Sequence, residues 1–210
     1  MAAASSDLQG RVLGHRANVV NGEEVSAFVD CARQEFGQLD GFCNNAGVGG
    51  VHKSIADTTE EEWDQSIAVN LRGVFLGHKY TMPAMTSGGA IVNTGSILSL
   101  KAAADRSDYV ATKHAVLGLT RTAAAEGARA GLRVNCICPG PIDTPLMAES
   151  ERLVNPQDPG WERRRFEEGT PVGRYGRPEE IAELVAFLMS NRAPYLTGAA
   201  VSIDGGLMAV

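Results

Sequence analysis

The sequence predicts an α/β fold of the Rossmann-like type, in which helices cover both faces of a doubly wound parallel sheet. Five short runs are largely apolar without strict alternation, which is typical of strands buried on both faces. Segments with helical periodicity lie between these runs, and that order favours parallel strands joined by right-handed crossovers. The chain has 210 residues, of which 44% are hydrophobic. This is enough for one buried core, so we expect a single domain over residues 1–210.

The five predicted strands cover residues 12–17, 38–44, 90–96, 132–138 and 199–203. Four helices are predicted between them, over residues 25–36, from position 58 to near Met85, over 108–130 and over 181–188. The long second helix offers a capping box at its start, through Asp57 with Glu60 or Thr58 with Glu61. We expect it to bury five apolar side chains, namely Trp63, Ile67, Leu71, Val74 and Phe75.

Charge and composition argue against several classes of protein. The formal net charge is −6, and the basic run at 163–165 is flanked by glutamates, so a clustered basic face for nucleic acid is not expected. No apolar run approaches the roughly 18 residues of a membrane span. The four cysteines form neither a CxxC pair nor zinc-like spacing with histidine. We therefore expect no metal site, buried reduced thiols and a cytoplasmic location.

Ligands of such sheets bind beyond the carboxyl ends of the strands. Four stretches occupy those positions: CNNAG (43–47), NTGS (93–96), CPGPIDT (138–144) and DGG (204–206). The first three carry polar or conformationally permissive residues suited to holding a ligand. We therefore expect the chemistry of the protein at this edge of the sheet.

Tyr109 and Lys113 stand four residues apart in YVATK and share one face of a predicted helix. An ammonium group close to a phenol favours the ionised form of that phenol. A tyrosine tuned in this way can give or take a proton, which is general acid–base catalysis. A tyrosine and a lysine often share a helix face by chance. From this spacing alone, a catalytic pair and a coincidence therefore both stay open.

Further motifs accompany the pair. Ser96 ends the preceding strand, and Asn70 lies within the long helix in VNLRGVF. NNAG and PGxIxT end two other strands, and YLTGAAVSIDGG closes the chain. Together these motifs resemble the short-chain dehydrogenase/reductase family, from about residue 11 to the end. The resemblance implies an oxidoreductase that transfers a hydride between NAD or NADP and a carbonyl or secondary alcohol substrate.

The resemblance also implies a role for each matching residue. Tyr109 would be the acid–base residue, and Lys113 would tune it and hydrogen-bond the nicotinamide ribose. Ser96 would hold the substrate oxygen, and Asn70 would hold a water in a proton relay. The other cofactor-binding residues would be Asn18 and Val19 beside the adenine, Asn45, Ala46 and Gly47 along the cofactor, and Pro139, Gly140, Ile142 and Thr144 around the nicotinamide.

The front of the chain departs from the family pattern. The family begins with a strand, a TGxxxGxG turn and a helix, followed by a second strand and helix. Here residues 2–8 resemble the end of a helix that Gly10 would stop, and GVGG (47–50) follows the wrong strand. We therefore expect an amino-terminally truncated domain that lacks the first two strands and most of the first two helices. Dinucleotide binding should be weakened, and the 12–17 strand should close up against the 38–44 strand or be poorly attached.

Two functions therefore stay open. The first is the hydride transfer described above. The second is a truncated, dinucleotide-deficient family member that acts as a non-catalytic subunit or as a hydride-independent proton-transfer catalyst. Substrate identity and the choice between NAD and NADP do not follow from the sequence, although residues 145–170 should form a lid over the substrate. Small residues on the Tyr109 helix (Ala111, Ala115 and Gly118), with the apolar positions of the long helix before it, indicate helices paired across a twofold interface. The family resemblance implies that this assembly is a homodimer or homotetramer.

Overall fold

The computed structural model describes residues 10–85 and 88–210. Its centre is a parallel sheet in the order β1-β2-β3-β4, formed by Gly41–Asn44, Gly89–Thr94, Leu132–Pro139 and Ala200–Ile203. Phe42 is opposite Ile91 in the first pair, and Ile91 is opposite Val134 in the second. Four of the five predicted strands are thus confirmed, and so is the predicted fold class.

Seven α-helices accompany the sheet in the described residues. They are α1 (Gly22–Phe36), α2 (Glu60–Ser66), α3 (Gly73–Thr81), α4 (Ser107–Gly127), α5 (Pro145–Val154), α6 (Gly160–Gly169) and α7 (Pro178–Met189). All four predicted helices are present, since α2, a π-helical turn at Ile67–Arg72 and α3 together form the long one. No helix of the described chain is long and apolar enough to cross a membrane.

The helices cover both faces of the sheet, as the run of buried strand residues requires. Cys136 and Cys138 of β3 pack with Val74 of α3 and Val116 of α4 on one face. Ile137 points the other way, where it joins Val92 and the apolar side of α7. Every residue from Leu132 to Cys138 is buried. Burial on both faces explains why these strands show no alternation in the sequence.

The strand predicted over residues 12–17 is wrong. Residues 11–18 have no regular secondary structure, and Val12 and Leu13 are about half exposed. In the described chain β1 pairs with β2 alone, and a cavity of about 400 Å³ separates it from the segment at His15 to Val19. A strand needs a neighbour that pairs its backbone groups. Of the two expected outcomes for this segment, the structure therefore shows the poorly attached one. The helix end predicted at residues 2–8 lies outside the described residues.

The long helix also differs from its prediction at two points. Its capping box is made by Thr59 with Glu62, which lies two residues after one predicted pair and one residue after the other. Val74 is buried as predicted, but Trp63 and Phe75 are 37% and 47% exposed. The π-helical turn adds a residue to the helical repeat and rotates the face that follows it, which explains Phe75 and which a fixed 3.6-residue period does not anticipate. Trp63 precedes the turn, and its exposure has no such explanation.

The cysteines are free thiols. Cys136 and Cys138 are buried as predicted, whereas Cys31 and Cys43 are half-buried. Within the part of the chain that the structure describes, no three His, Cys, Asp or Glu side chains cluster as a metal site would require.

Candidate active site

The carboxyl ends of the four strands lie at one edge of the sheet, because all neighbouring strands are parallel. The four stretches selected from the sequence therefore share this edge. Asn44 ends β1, Thr94 ends β2 and Pro139 ends β3. The amino-terminal half of α4 reaches the same edge, since Lys113 contacts the end of β2.

Lys113 is held next to Tyr109, as their spacing on α4 predicts. Its ammonium group is 5.4 Å from the centre of the Tyr109 ring and donates a 2.8 Å hydrogen bond to the carbonyl oxygen of Thr94. Lys113 is only 6% exposed. Burial of an ammonium group is costly unless its hydrogens are bonded. The hydrogen bond to the Thr94 carbonyl offsets part of that cost. The Lys113 ammonium keeps two N–H donors for other partners.

Ser96 follows β2 directly and has an extended backbone. Its Oγ accepts a 3.1 Å hydrogen bond from the N–H of Leu98, and its own N–H donates to the hydroxyl of Ser99. A hydroxyl that accepts from the backbone keeps its proton free to donate. Gly95 allows this turn, because a Cβ there would lie 2.7 Å from the Cys136 sulfur.

Asn70 lies on the π-helical turn and is buried. Its amide donates to the carbonyl oxygen of Val48 at 3.0 Å and accepts from the N–H of Val48 at 2.8 Å. A Cβ on Gly47 would lie 3.1 Å from the Asn70 Oδ1 and 3.9 Å from the Lys113 ammonium. Asn70, Gly47 and Lys113 are therefore neighbours, and a glycine leaves the space between them open.

Asn45 and Ala46 are exposed at the same edge. Asn45 accepts a 2.9 Å hydrogen bond from the hydroxyl of Thr94. Together with Val19 they line the cavity beside β1. The Asn18 side chain instead forms a local turn, in which its Oδ1 accepts from the N–H of Val20.

The turn after β3 brings Gly140 against the last strand. Its N–H donates to the carbonyl oxygen of Ile203 at 3.0 Å, and a Cβ there would lie 2.9 Å from the Asp204 Cα. Ile142 forms a bridge with Gly176, and Thr144 caps α5 by accepting from the N–H of Met147. The motif therefore fixes where α5 begins beyond the end of the sheet.

The helices α5 and α6 lie within residues 145–170, the segment that was predicted to form a lid over the substrate. A Cβ on Gly49 would be 3.6 Å from Leu146 of α5, so α5 reaches the segment that follows NNAG. Leu146 and Trp161 are 48% and 41% exposed, whereas Met147 and Phe166 are partly buried.

A polar cluster above Tyr109 was missed by the sequence analysis. Arg106, His52, Ser150 and Glu162 come together there from four different segments. Burial, followed by the nearby Arg106 charge, lowers the pKa of His52 to about 4. No motif signals the cluster, because its members are scattered along the sequence.

Comparison with known proteins identifies the family. The family model described as Enoyl-(Acyl carrier protein) reductase matches residues 1–208. Levodione reductase of Leifsonia aquatica is 40% identical over 197 residues, which cover 93% of this chain and 74% of that protein. Cyclohexanol dehydrogenase of Acinetobacter sp. (strain SE19) is 41% identical over 200 residues, which cover 94% of this chain and 75% of that protein.

Solved structures agree with the sequence comparison. The crystal structure of levodione reductase has a TM-score of 0.96 at 38% identity and covers 100% of this chain and 82% of its own. The structure of ElxO with NADP bound has a TM-score of 0.84 at 30% identity and covers 93% of this chain and 78% of its own. The chain belongs to the short-chain dehydrogenase/reductase family. It is an oxidoreductase, as the named activities of these relatives indicate.

Proposed function

We propose that the protein transfers a hydride between NAD or NADP and a cyclic ketone or secondary alcohol, with Tyr109 as the acid–base residue. The observation that carries this proposal is the buried Lys113 ammonium, held by the Thr94 carbonyl beside the Tyr109 ring. The named activity of the relative cyclohexanol dehydrogenase supports a six-membered ring as the substrate.

The residues at the sheet edge suit the nicotinamide and ribose part of the cofactor. At Gly47 and Gly140 a side chain would meet Asn70 or Asp204, so glycine lets the NNAG and PGxIxT turns pack closely at the edge where the cofactor would bind. Lys113 has two N–H donors beyond its bond to Thr94, which suit ribose hydroxyls. No described helix begins with a TGxxxGxG turn for the pyrophosphate. When bound, the nicotinamide supplies or accepts the hydride.

The chain's own residues handle the substrate oxygen and its proton. The Ser96 hydroxyl, whose lone pair accepts from Leu98, donates its proton towards the substrate oxygen. Tyr109 gives its proton to that oxygen during reduction and takes one from the alcohol during oxidation. The Lys113 charge stabilises the phenolate that this step leaves. Asn70 supports Val48 and the NNAG segment through its two bonds, and the relay water that the resemblance assigns to it stays a prediction.

The experiment is to incubate the 210-residue chain with cyclohexanone and NADH, and separately with NADPH, and to follow cyclohexanol by gas chromatography. We expect slow turnover with one of the two cofactors and weak saturation by it. A parallel titration of cofactor fluorescence measures binding alone. Cofactor binding without turnover would contradict the ring substrate. Absence of binding with both cofactors would contradict the hydride reaction and favour the non-catalytic alternative.

We also propose a cytoplasmic location, which the free thiols support, and a homodimer or homotetramer, which the small-residue face of α4 supports. Dinucleotide binding should be weak, because no described helix begins with a glycine-rich pyrophosphate turn.

A further inference from the structure

Arg106 is the residue of the polar cluster that contacts Tyr109 directly. It stands three positions before the tyrosine, at the start of α4. Its guanidinium carbon is 4.9 Å from the centre of the Tyr109 ring, closer than the Lys113 ammonium at 5.4 Å. The face of an aromatic ring carries partial negative charge and attracts a cation. Two cations therefore contact the ring, and only Lys113 belongs to the recognised motif.

The guanidinium is fixed on both of its outer nitrogens. One Nη donates a 2.7 Å hydrogen bond to the carbonyl oxygen of Gly49. The other Nη is 3.3 Å from His52 Nε2, and because arginine can only donate, this ring nitrogen is the acceptor. The low pKa of His52 keeps its imidazole neutral and able to accept at neutral pH. A guanidinium held in this way keeps a constant position over the ring.

The lid helices contact the same cluster. Ser150 of α5 lies 3.1 Å from His52 Nε2 through its hydroxyl. Glu162 of α6 is buried and is close enough for its charge to act on Arg106, although the two do not form an ion pair within 4.0 Å in the described chain. The Arg106 Nε has no hydrogen-bond partner among the described residues. Arg106 is half-buried, and a partly desolvated cation without an ion pair is costly, which indicates a function for it.

Other charged groups near Tyr109 do not replace Arg106. Asp108 is buried next to the tyrosine, but its Oδ2 accepts from the hydroxyl of Ser66 and the N–H of Val51. Glu162 carries the opposite charge, and burial raises its pKa. His52 is neutral and adds no positive charge. Lys113 is a cation, but it already belongs to the YVATK motif, four residues after the tyrosine. Arg106 is thus the cation from outside the motif that contacts the tyrosine ring.

We propose that Arg106 is a positioning residue that holds the Tyr109 ring and places a second positive charge beside it. This inference rests on the proposed role of Tyr109. Gly49 and His52 anchor the guanidinium, and Ser150 connects the anchor to the lid. The consequence is a tyrosine ring held between two cations of the same helix, one before it and one after it.

The test replaces the charge and follows the titration of Tyr109 itself. Tyrosinate absorbance is recorded against pH for the wild type, Arg106→Gln and Arg106→Lys, and each curve is compared with the same protein carrying Tyr109→Phe. The difference isolates the Tyr109 signal and needs no cofactor. Because Arg106→Gln removes a positive charge next to the ring, we expect it to move this titration upward. Arg106→Lys, which keeps the charge, should restore at least half of the shift.

A matched control is Arg192→Gln, since Arg192 also stacks on an aromatic ring, that of Phe187, at 4.9 Å. It should leave the Tyr109 titration unchanged. His52→Ala, which frees the guanidinium, should give a smaller upward shift, and it provides the test if Arg106→Gln does not fold. A Tyr109 titration that moves by less than about 0.2 unit in both Arg106→Gln and His52→Ala would overturn the inference.

Turnover separates this inference from the proposed function. In alcohol oxidation the tyrosine must be ionised, so Arg106→Gln should move the acid limb of the pH profile of kcat/KM to higher pH. Turnover that survives Tyr109→Phe would contradict the proposed function, whatever Arg106 does. Turnover that is lost with Tyr109→Phe, together with an unchanged profile in Arg106→Gln, would contradict only the inference on Arg106.

Discussion

The side-chain amide of Asn44 donates a 2.8 Å hydrogen bond to the side-chain oxygen of Asn93, and this bond joins β1 to β2 inside the core. The Asn93 amide in turn donates to the Thr120 hydroxyl at 2.8 Å and lies 3.0 Å from His78 Nε2. The network connects two strands with α3 and α4 directly beneath the candidate active site. Such buried networks fix a unique arrangement because each member depends on the others.

Replacing Asn93 should therefore be costly. Asn93→Leu has a similar volume, but it leaves Asn44, Thr120 and His78 without their partner. We expect the free energy of unfolding in urea to fall by about 2–4 kcal/mol, since each stranded buried group costs about 1–3 kcal/mol. Asn191→Leu, in an exposed loop, is the matched control and should change it by less than about 0.5 kcal/mol. Equal stability of the two variants would contradict the structural role of the network.

The pH dependence of the free energy of unfolding should reflect the protonation of His78. Burial lowers the pKa of His78 to about 4, whereas the ordinary value of 6.5 applies to the unfolded chain. The unfolded state therefore binds the proton first as pH falls, and stability present above pH 6.5 is lost between pH 6.5 and 4. From pH 8 to pH 5 this single group should cost about 2 kcal/mol. Urea unfolding at both values checks this, and the loss should be smaller by about that amount in His78→Gln.

The turn after β3 should admit only glycine at position 140. A Cβ there would lie 2.9 Å from the Asp204 Cα, and this backbone contact cannot be relieved by a side-chain rotation. We expect Gly140→Ala to lower the free energy of unfolding by about 1–3 kcal/mol and to displace the turn that carries Ile142 and Thr144. Gly169→Ala is the control, because a Cβ there meets no atom within 4 Å in residues 10–85 and 88–210. Equal effects of the two substitutions would show that the turn adjusts freely.

The outer faces of α3 and α4 predict that the protein self-associates. Phe75 of α3 is 47% exposed, and no atom of the described residues lies within 4 Å of a Cβ on Gly118 of α4. An exposed aromatic ring and a small-residue face are suited to a twofold interface of paired helices. Light scattering at micromolar concentration should give the mass of a dimer or tetramer, and Gly118→Arg should shift it towards the monomer. A monomeric wild type would contradict the prediction.

Much of the fold and the site follows from the sequence for physical reasons. Strands buried on both faces must be apolar throughout, so β2 and β3 were predicted to within two residues. Tyr109 and Lys113 meet because residues four apart share a helix face. The strand prediction for residues 12–17 was wrong because strand propensity does not form a strand without a neighbour to pair with. The cluster around Arg106 was missed since its contacts are purely tertiary and leave no spacing to detect.

The central claim is that Tyr109 transfers the proton. Tyr109→Phe keeps the ring, and with it the contacts of Arg106 and Lys113, but removes the hydroxyl. Tyr195→Phe, at a fully exposed tyrosine, is the matched control. The decisive measurement is kcat for cyclohexanone reduction in both variants, with cofactor affinity and thermal stability measured in parallel. We predict that Tyr109→Phe lowers kcat by roughly 100-fold or more with little change in affinity or stability, while Tyr195→Phe behaves as wild type. Unchanged kcat in Tyr109→Phe would contradict the account.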